Sequence, residues 1–154
     1  MVPLSEELEN VKNYCKMQEI RFPDKAILFS ECADEVKDVQ IPRCLLLTIA
    51  ENSYKYAMGV NDVLQILIDC RKVNENGKDF ALISIEDNGK GFTDEQLAYY
   101  NGDDTSENTA GHVGLLNIKE TLKLTYKADR LLSIENAVPE GAKTLIRIPI
   151  KSEG

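Results

Sequence analysis

One histidine serves the whole chain of 154 residues, so little is available to complete a histidine-based metal site. The four cysteines, Cys15, Cys32, Cys44 and Cys70, share no C-x-x-C spacing, which argues against both zinc and a disulfide framework. Three of them lie in apolar-rich stretches and read as small buried thiols of a reducing cytosol. No run of about 18 apolar residues occurs and no signal peptide is visible, so this segment makes no direct membrane contact, and any anchor belongs to a longer parent protein. Cationic residues are outnumbered as well: 18 Lys and Arg against 26 Asp and Glu give a net charge of −8. That balance supplies no basic stripe for a phosphate backbone and argues against nucleic acid. A nucleotide needs only a few local donors and stays compatible with it.

What is present suits one globular domain spanning 1–154, with 43% hydrophobic and 29% charged residues. No internal repeat, low-complexity segment or second domain is evident. Leu8, Val11, Tyr14 and Cys15 carry a helical pattern that ends before Pro23, with Ser5 as its N-cap. Ala26 to Cys32 reads as a strand and Asp34 to Gln40 as a polar link, and Pro42 stands at the start of the next helix. Val63–Cys70 and Phe80–Asp87 are β-rich runs joined by a hairpin turn at Asn74–Gly77. Thr93-Asp94-Glu95 caps a short helix towards Tyr100, and residues 101–110 lack periodicity and read as a mobile loop. A further helix takes its apolar positions from Val113, Leu116, Ile118, Leu122 and Leu124. Two strands, 130–135 and 144–150, turn at Pro139-Glu140-Gly141 and end the pattern. The expected architecture is an α/β (α+β) two-layer sandwich, a mixed, mostly antiparallel sheet with helices on one face.

Three stretches carry the chemistry. In Leu45–Ala57, helical spacing puts Leu45, Ile49, Ala50, Ser53 and Ala57 on one stripe, and Asn52, Lys55 and Tyr56 at i, i+3 and i+4 on an adjoining one. An amide oxygen can ligate a hard cation, and an ammonium beside it can meet phosphate; a solvated polar face explains the same residues. Next, Glu86-Asp87-Asn88-Gly89-Lys90-Gly91-Phe92 follows a strong strand. Its glycines permit close approach to a flat ligand, and Asp87 can accept from an exocyclic amine. A plain strand exit would look similar; a calcium loop would not, since Ser84 and Glu86 stand where such a loop leads with aspartates. The third is Gly111-His112-Val113-Gly114-Leu115-Leu116-Asn117-Ile118, where a glycine-bearing helix start offers N–H groups to an anion.

In this order the three resemble the N, G1 and G2 boxes of the ATP-binding domain of sensor histidine kinases, the Bergerat or GHKL fold. The flanks Leu8-x-x-Val11-x-x-Tyr14, Arg21-Phe22, Ile41-Pro42 and Ile146-Arg147-Ile148-Pro149 are similar to the LytS/YesM branch. The resemblance implies ATP and Mg²⁺ as cofactors. It implies Asn52 as metal ligand, Lys55 and Tyr56 near the phosphates or ribose, and Asp87 on the adenine amino group. Gly89 and Gly91 would let the chain pass the base. Gly111, Gly114, Leu115 and Asn117 would form the phosphate-side wall and lid hinge, with Thr144 facing the same site. Residues 101–110 would be the ATP lid. Departures from the family pattern are His112 for the first G2 glycine, Thr121 for a basic residue (with Lys119 or Lys123 as substitutes), and Ala142 after Gly141.

Related ATPases of this superfamily place a glutamate one turn before the asparagine, where Thr48 stands here, and a hydroxyl is no base at neutral pH. Glu51 points about 100° away from Asn52 around the helix, as a surface carboxylate or a contact to the substrate histidine. The resemblance thus implies phosphoryl transfer to a histidine on an upstream dimerisation segment, with 1–22 the helix that follows it, a response regulator as partner, and a cytoplasmic location under a membrane-anchored bacterial sensor. A nucleotide-binding module without kinase activity and a hydrolytic ATPase are the alternatives. Asp87→Ala is expected to cost nucleotide recognition more than stability.

Overall fold

The computed structural model describes residues 1–60, 62–102 and 113–150. Its main sheet has the order β2-β4-β5-β7-β6, formed by Ala26–Cys32, Leu64–Glu75, Lys78–Asp87, Ala142–Pro149 and Leu132–Asn136 respectively. The β2–β4 pair is parallel and the others antiparallel, so the sheet is mixed and mostly antiparallel. A separate ribbon pairs β1 (Val2–Pro3) with β3 (Gln40–Ile41). The helices are α1 (Leu4–Arg21), α2 (Leu45–Tyr56), α3 (Asp94–Asn101) and α4 (Val113–Tyr126).

Alternation in the strands decides which face is covered. Leu64, Ile66, Ile68 and Cys70 of β4, Ala81, Ile83 and Ile85 of β5, and Ile146 and Ile148 of β7 are buried. They meet Leu8 and Val11 of α1, Leu46, Ile49 and Ala50 of α2, and Leu115, Ile118 and Leu122 of α4 in one core. α2 lies in contact with both α1 and α4, which puts the asparagine-bearing helix at the centre of the helical layer. The opposite face keeps Ile27, Phe29 and Leu67 exposed. Asn76 and Gly77, both with positive φ (54° and 81°), turn β4 into β5 as the twist of a two-residue hairpin requires. Among the described residues no helix is long and apolar enough to cross a membrane.

Several local expectations are corrected. Ser5 is not the N-cap of α1; Pro3 is, and the free N–H groups of Leu4 and Ser5 donate instead to Val39 O and Lys37 O, both at 2.9 Å. The polar link 34–40 contains a 3₁₀ turn, Asp34–Val36, whose Val36 is buried. Pro42 precedes α2 rather than opening it, because Cys44 at φ 67° is the N-cap and Leu45 the first helical residue. Asn101 belongs to α3, not to the loop after it. Leu124 is 78% exposed, whereas Leu115 is buried, so the apolar stripe of α4 runs through 115, 118 and 122. Among the cysteines, all free, only Cys70 is fully buried and Cys44 is exposed. The expected lid residues 103–110, with Gly111 and His112, lie outside the described residues.

Candidate functional site

The cleft forms where α2 crosses the end of β5. From α2 it takes Ile49, Asn52, Ser53 and Tyr56, with the C-cap Ala57; from β5 Ile85 and Asp87; from the next turn Lys90, Gly91 and Phe92. Leu115 of α4 and Ala142 and Thr144 of β7 complete the lining. Thr144 reaches this wall because β7 pairs with β5 in a register that sets it opposite Ile85. One end is thus apolar, suited to a flat ring, with few polar groups to orient it.

Asp87 is the polar centre, 9% exposed. Its Oδ1 accepts from Gly89 N at 2.9 Å and Ala142 N at 3.3 Å, and its Oδ2 accepts from Ser53 Oγ at 3.1 Å. The carboxylate is therefore aimed from both sides before any ligand arrives. Asp87→Ala would leave Gly89 N, Ala142 N and Ser53 Oγ without this acceptor, so it carries a stability cost of about 1–3 kcal/mol for each buried donor orphaned. The neighbouring glycines are fixed by packing. A Cβ on Gly89 would strike Ala57, the C-cap of α2, and one on Gly141, at φ 123°, would strike Asp87 O. A Cβ on Gly91, at φ 81°, would stand 2.6 Å from Asn136 Oδ1.

Two asparagine side chains stand in for backbone around this turn, and a third does so at the end of α3. Asn136 Oδ1 accepts from Phe92 N at 2.6 Å and its Nδ2 donates to Phe92 O at 3.2 Å, tying the turn to the end of β6. Asn88 Oδ1 accepts from Gln65 N at 2.8 Å and its Nδ2 donates to Val63 O at 2.9 Å, tying it to the start of β4. Asn101 bonds Ile134 in the same two-point way, at 2.6 and 2.7 Å, and fastens the end of α3 to β6. The loop thus inherits the rigidity of the sheet.

At the other end of the cleft, Asn52 Nδ2 is buried and has no hydrogen-bond partner among the described residues. Gly114 faces this amide so closely that a Cβ would lie 3.0 Å from Nδ2 and 3.1 Å from Oδ1. An unpartnered N–H donor facing a cleft suits an acceptor such as a phosphate oxygen. The oxygen of the same amide is a neutral ligand of the kind that could hold Mg²⁺ alongside water and phosphate oxygens, so Asn52 fits such an ion. Thr48, one turn earlier, donates its hydroxyl to Cys44 O at 2.8 Å.

Asn52, Tyr56, Asp87, Gly91, Leu115 and Thr144 are brought together as lining. Gly89 and Gly114 stand behind it, against Ala57 and Asn52. Lys55, Glu51 and Asn117 are exposed and form no part of the lining; Lys55 Nζ sits 5.1 Å from the centroid of the Tyr56 ring. Thr121 is exposed. Of its possible basic substitutes, Lys119 donates to Tyr99 O at 3.4 Å and Lys123 pairs with Asp129 at 3.6 Å. Both line a second cleft with Tyr100 and Arg130. Burial pushes the Tyr100 phenol there up to about 12. Sequence reasoning missed Lys90, Phe92 and Ala142 as lining, Ser53 as the orienting donor, and the asparagine clamps. Ser53 had a visible signal, a hydroxyl on the buried stripe of α2, and Lys90 and Phe92 stood within the glycine-bearing stretch already singled out.

This arrangement has the fold of histidine kinase catalytic domains. The solved catalytic domain of the histidine kinase ThkA matches with a TM-score of 0.67 at 15% identity, covering 96% of this chain and 93% of that one. The Acinetobacter baumannii histidine kinase AdeS matches at 0.65 and 15% identity, over 98% of this chain and 66% of that one.

In sequence the chain is homologous to sensor histidine kinases. It is similar to the sensor histidine kinase YesM of Bacillus subtilis (strain 168), 31% identical over 155 residues, and to the sensor protein LytS of Bacillus anthracis, 26% identical over 151. These alignments take in 99% and 98% of this chain, and the chain spans about a quarter (25%) of each of these curated relatives. No protein-family model matches.

Proposed function

We propose that this chain is the ATP-binding catalytic domain of a sensor histidine kinase. One observation supports this above the rest: Asp87 and Asn52, from different motifs, open onto a single cleft with an apolar wall between them. Adenine lies against Ile49, Ile85 and Phe92 with its amino group donating to Asp87. The phosphates run towards Asn52 and the start of α4. Asn52 would hold Mg²⁺, which would supply charge neutralisation at the phosphates, and the chain's own residues bind, orient and exclude water. Lys55 and Tyr56 serve the phosphate and ribose side, and Gly111, Gly114, Leu115 and Asn117 its wall and hinge. Glu51, exposed beside Asn52 on α2, would be the carboxylate that meets the acceptor.

The acceptor is a histidine on a dimerisation segment outside this chain, with 1–22 the helix following it and a response regulator receiving the phosphoryl group. Such a domain works on the cytoplasmic side of a membrane-anchored bacterial sensor. Hydrolysis is disfavoured because the Thr48 hydroxyl is spent on Cys44 O and is no base. The test supplies a histidine-bearing helical segment with Mg²⁺-ATP labelled in the γ position. Label on the added histidine supports the proposal, and label on this chain alone contradicts it. Steady phosphate release without acceptor would make it an ATPase. Nucleotide binding without transfer would make it a silent module.

A further inference from the structure

We propose that Ser53 is a positioning residue that sets the base specificity of the cleft, an inference that rests on the nucleotide reading above. Ser53 adjoins Asn52 on α2, is 4% exposed, and donates its hydroxyl to Asp87 Oδ2 at 3.1 Å. The opposite oxygen, Oδ1, is held by Gly89 N at 2.9 Å and Ala142 N at 3.3 Å. Backbone thus fixes one oxygen, and the serine fixes the other. The Ser53 hydroxyl therefore adds a side-chain donor on Oδ2 to the backbone donors on Oδ1, and the three together hold the side-chain torsions of Asp87.

The orientation has a chemical consequence. A carboxylate locked as an acceptor at the end of an apolar slot takes a 6-amino purine and opposes a 6-oxo purine, whose oxygen meets another acceptor. Ser53 therefore acts on the base, although it sits beside the residue that serves the metal. Its effect belongs to adenine itself and is independent of phosphate number and Mg²⁺. A merely structural role in α2 would have the reverse signature, because loosening that helix displaces Asn52 first and weakens the metal-dependent part of binding.

The experiment measures calorimetric affinities of AMP, ADP and IDP for the unaltered chain and for Ser53→Ala, each with Mg²⁺ and with chelator. The unaltered chain is expected to prefer ADP to IDP by at least about tenfold, the worth of one hydrogen bond to a charged group. Ser53→Ala is expected to lose about five- to tenfold for AMP and ADP alike, with and without metal, while IDP changes little, so the preference shrinks. An unchanged preference in Ser53→Ala overturns the inference, as does a loss confined to the metal-dependent part. Equal ADP and IDP affinities in the unaltered chain overturn it without any substitution. Absence of binding by every nucleotide refutes the nucleotide reading itself and removes the inference with it.

Discussion

Glu7 offers a measurable test of how the asparagine helix is held. It lies on α1 with no exposed surface, and its Oε2 accepts from Leu46 N at 3.2 Å while its Oε1 accepts from Asn10 Nδ2 at 3.4 Å. α2 has no side-chain cap of its own, since Cys44 occupies the N-cap in a left-handed conformation. The α1 carboxylate therefore caps α2 from outside, meeting the positive end of its dipole. Glu7→Ala removes this cap and leaves the Leu46 N–H orphaned, at about 1–3 kcal/mol. At about 2–4 °C per kcal/mol for a domain of this size, the melting temperature should fall by about 2–12 °C. Glu7→Gln keeps an oxygen for Leu46 and should cost about 1 kcal/mol. Urea unfolding checks both, with the m value unchanged. Glu6→Ala, at an exposed neighbour, is the control and should stay within about 0.5 kcal/mol of the unaltered chain. A Glu7→Ala variant as stable as that control would refute the capping argument.

Other substitutions separate recognition from stability. Asp87→Asn can keep its oxygen on Gly89 and Ala142 and turn its amide nitrogen to Ser53, so it should unfold within about 1–2 kcal/mol of the unaltered chain while binding ADP about tenfold or more weaker, read by calorimetry. Gly114→Ala gains about 1 kcal/mol of helix propensity but presses a methyl onto Asn52 and Thr48, so stability should change little and Mg²⁺-dependent ADP affinity should fall. Cys44, exposed, should react with a thiol reagent in the native protein. Cys70, buried and with its pKa pushed well up by that burial, should react only on unfolding, as mass spectrometry after timed labelling would show.

The sequence was most informative where the chemistry is local. Alternation in 64–70 and 80–87, the Asn76-Gly77 hairpin and the Thr93 cap can all be read from neighbours a few residues apart. Thr93 indeed forms a capping box with Gln96, at 2.9 and 3.1 Å. Motif order likewise placed Asn52 and Asp87 in one site before any geometry was known. What stayed hidden acts across long separations. Glu7 reaches Leu46 from another helix, and Asn136 reaches Phe92 from another strand. Neither amide nor carboxylate carries a local mark of such a role. Ile49, Ile85 and Phe92 were hidden for a different reason, because an apolar pocket wall is built from the residue types that build a core. Leu124 misled because periodicity gives a stripe but not its edge, and its side chain lies outside that edge, 78% exposed.

The most direct measurement is a calorimetric titration of ADP into this chain, run once with Mg²⁺ and once with chelator, and repeated on Asn52→Ala. Binding in both conditions is predicted, tighter by about tenfold or more with the metal, and the metal's advantage should vanish in Asn52→Ala. Absence of binding at millimolar ADP, or a metal advantage that survives in Asn52→Ala, would contradict a nucleotide stretched between Asp87 and Asn52.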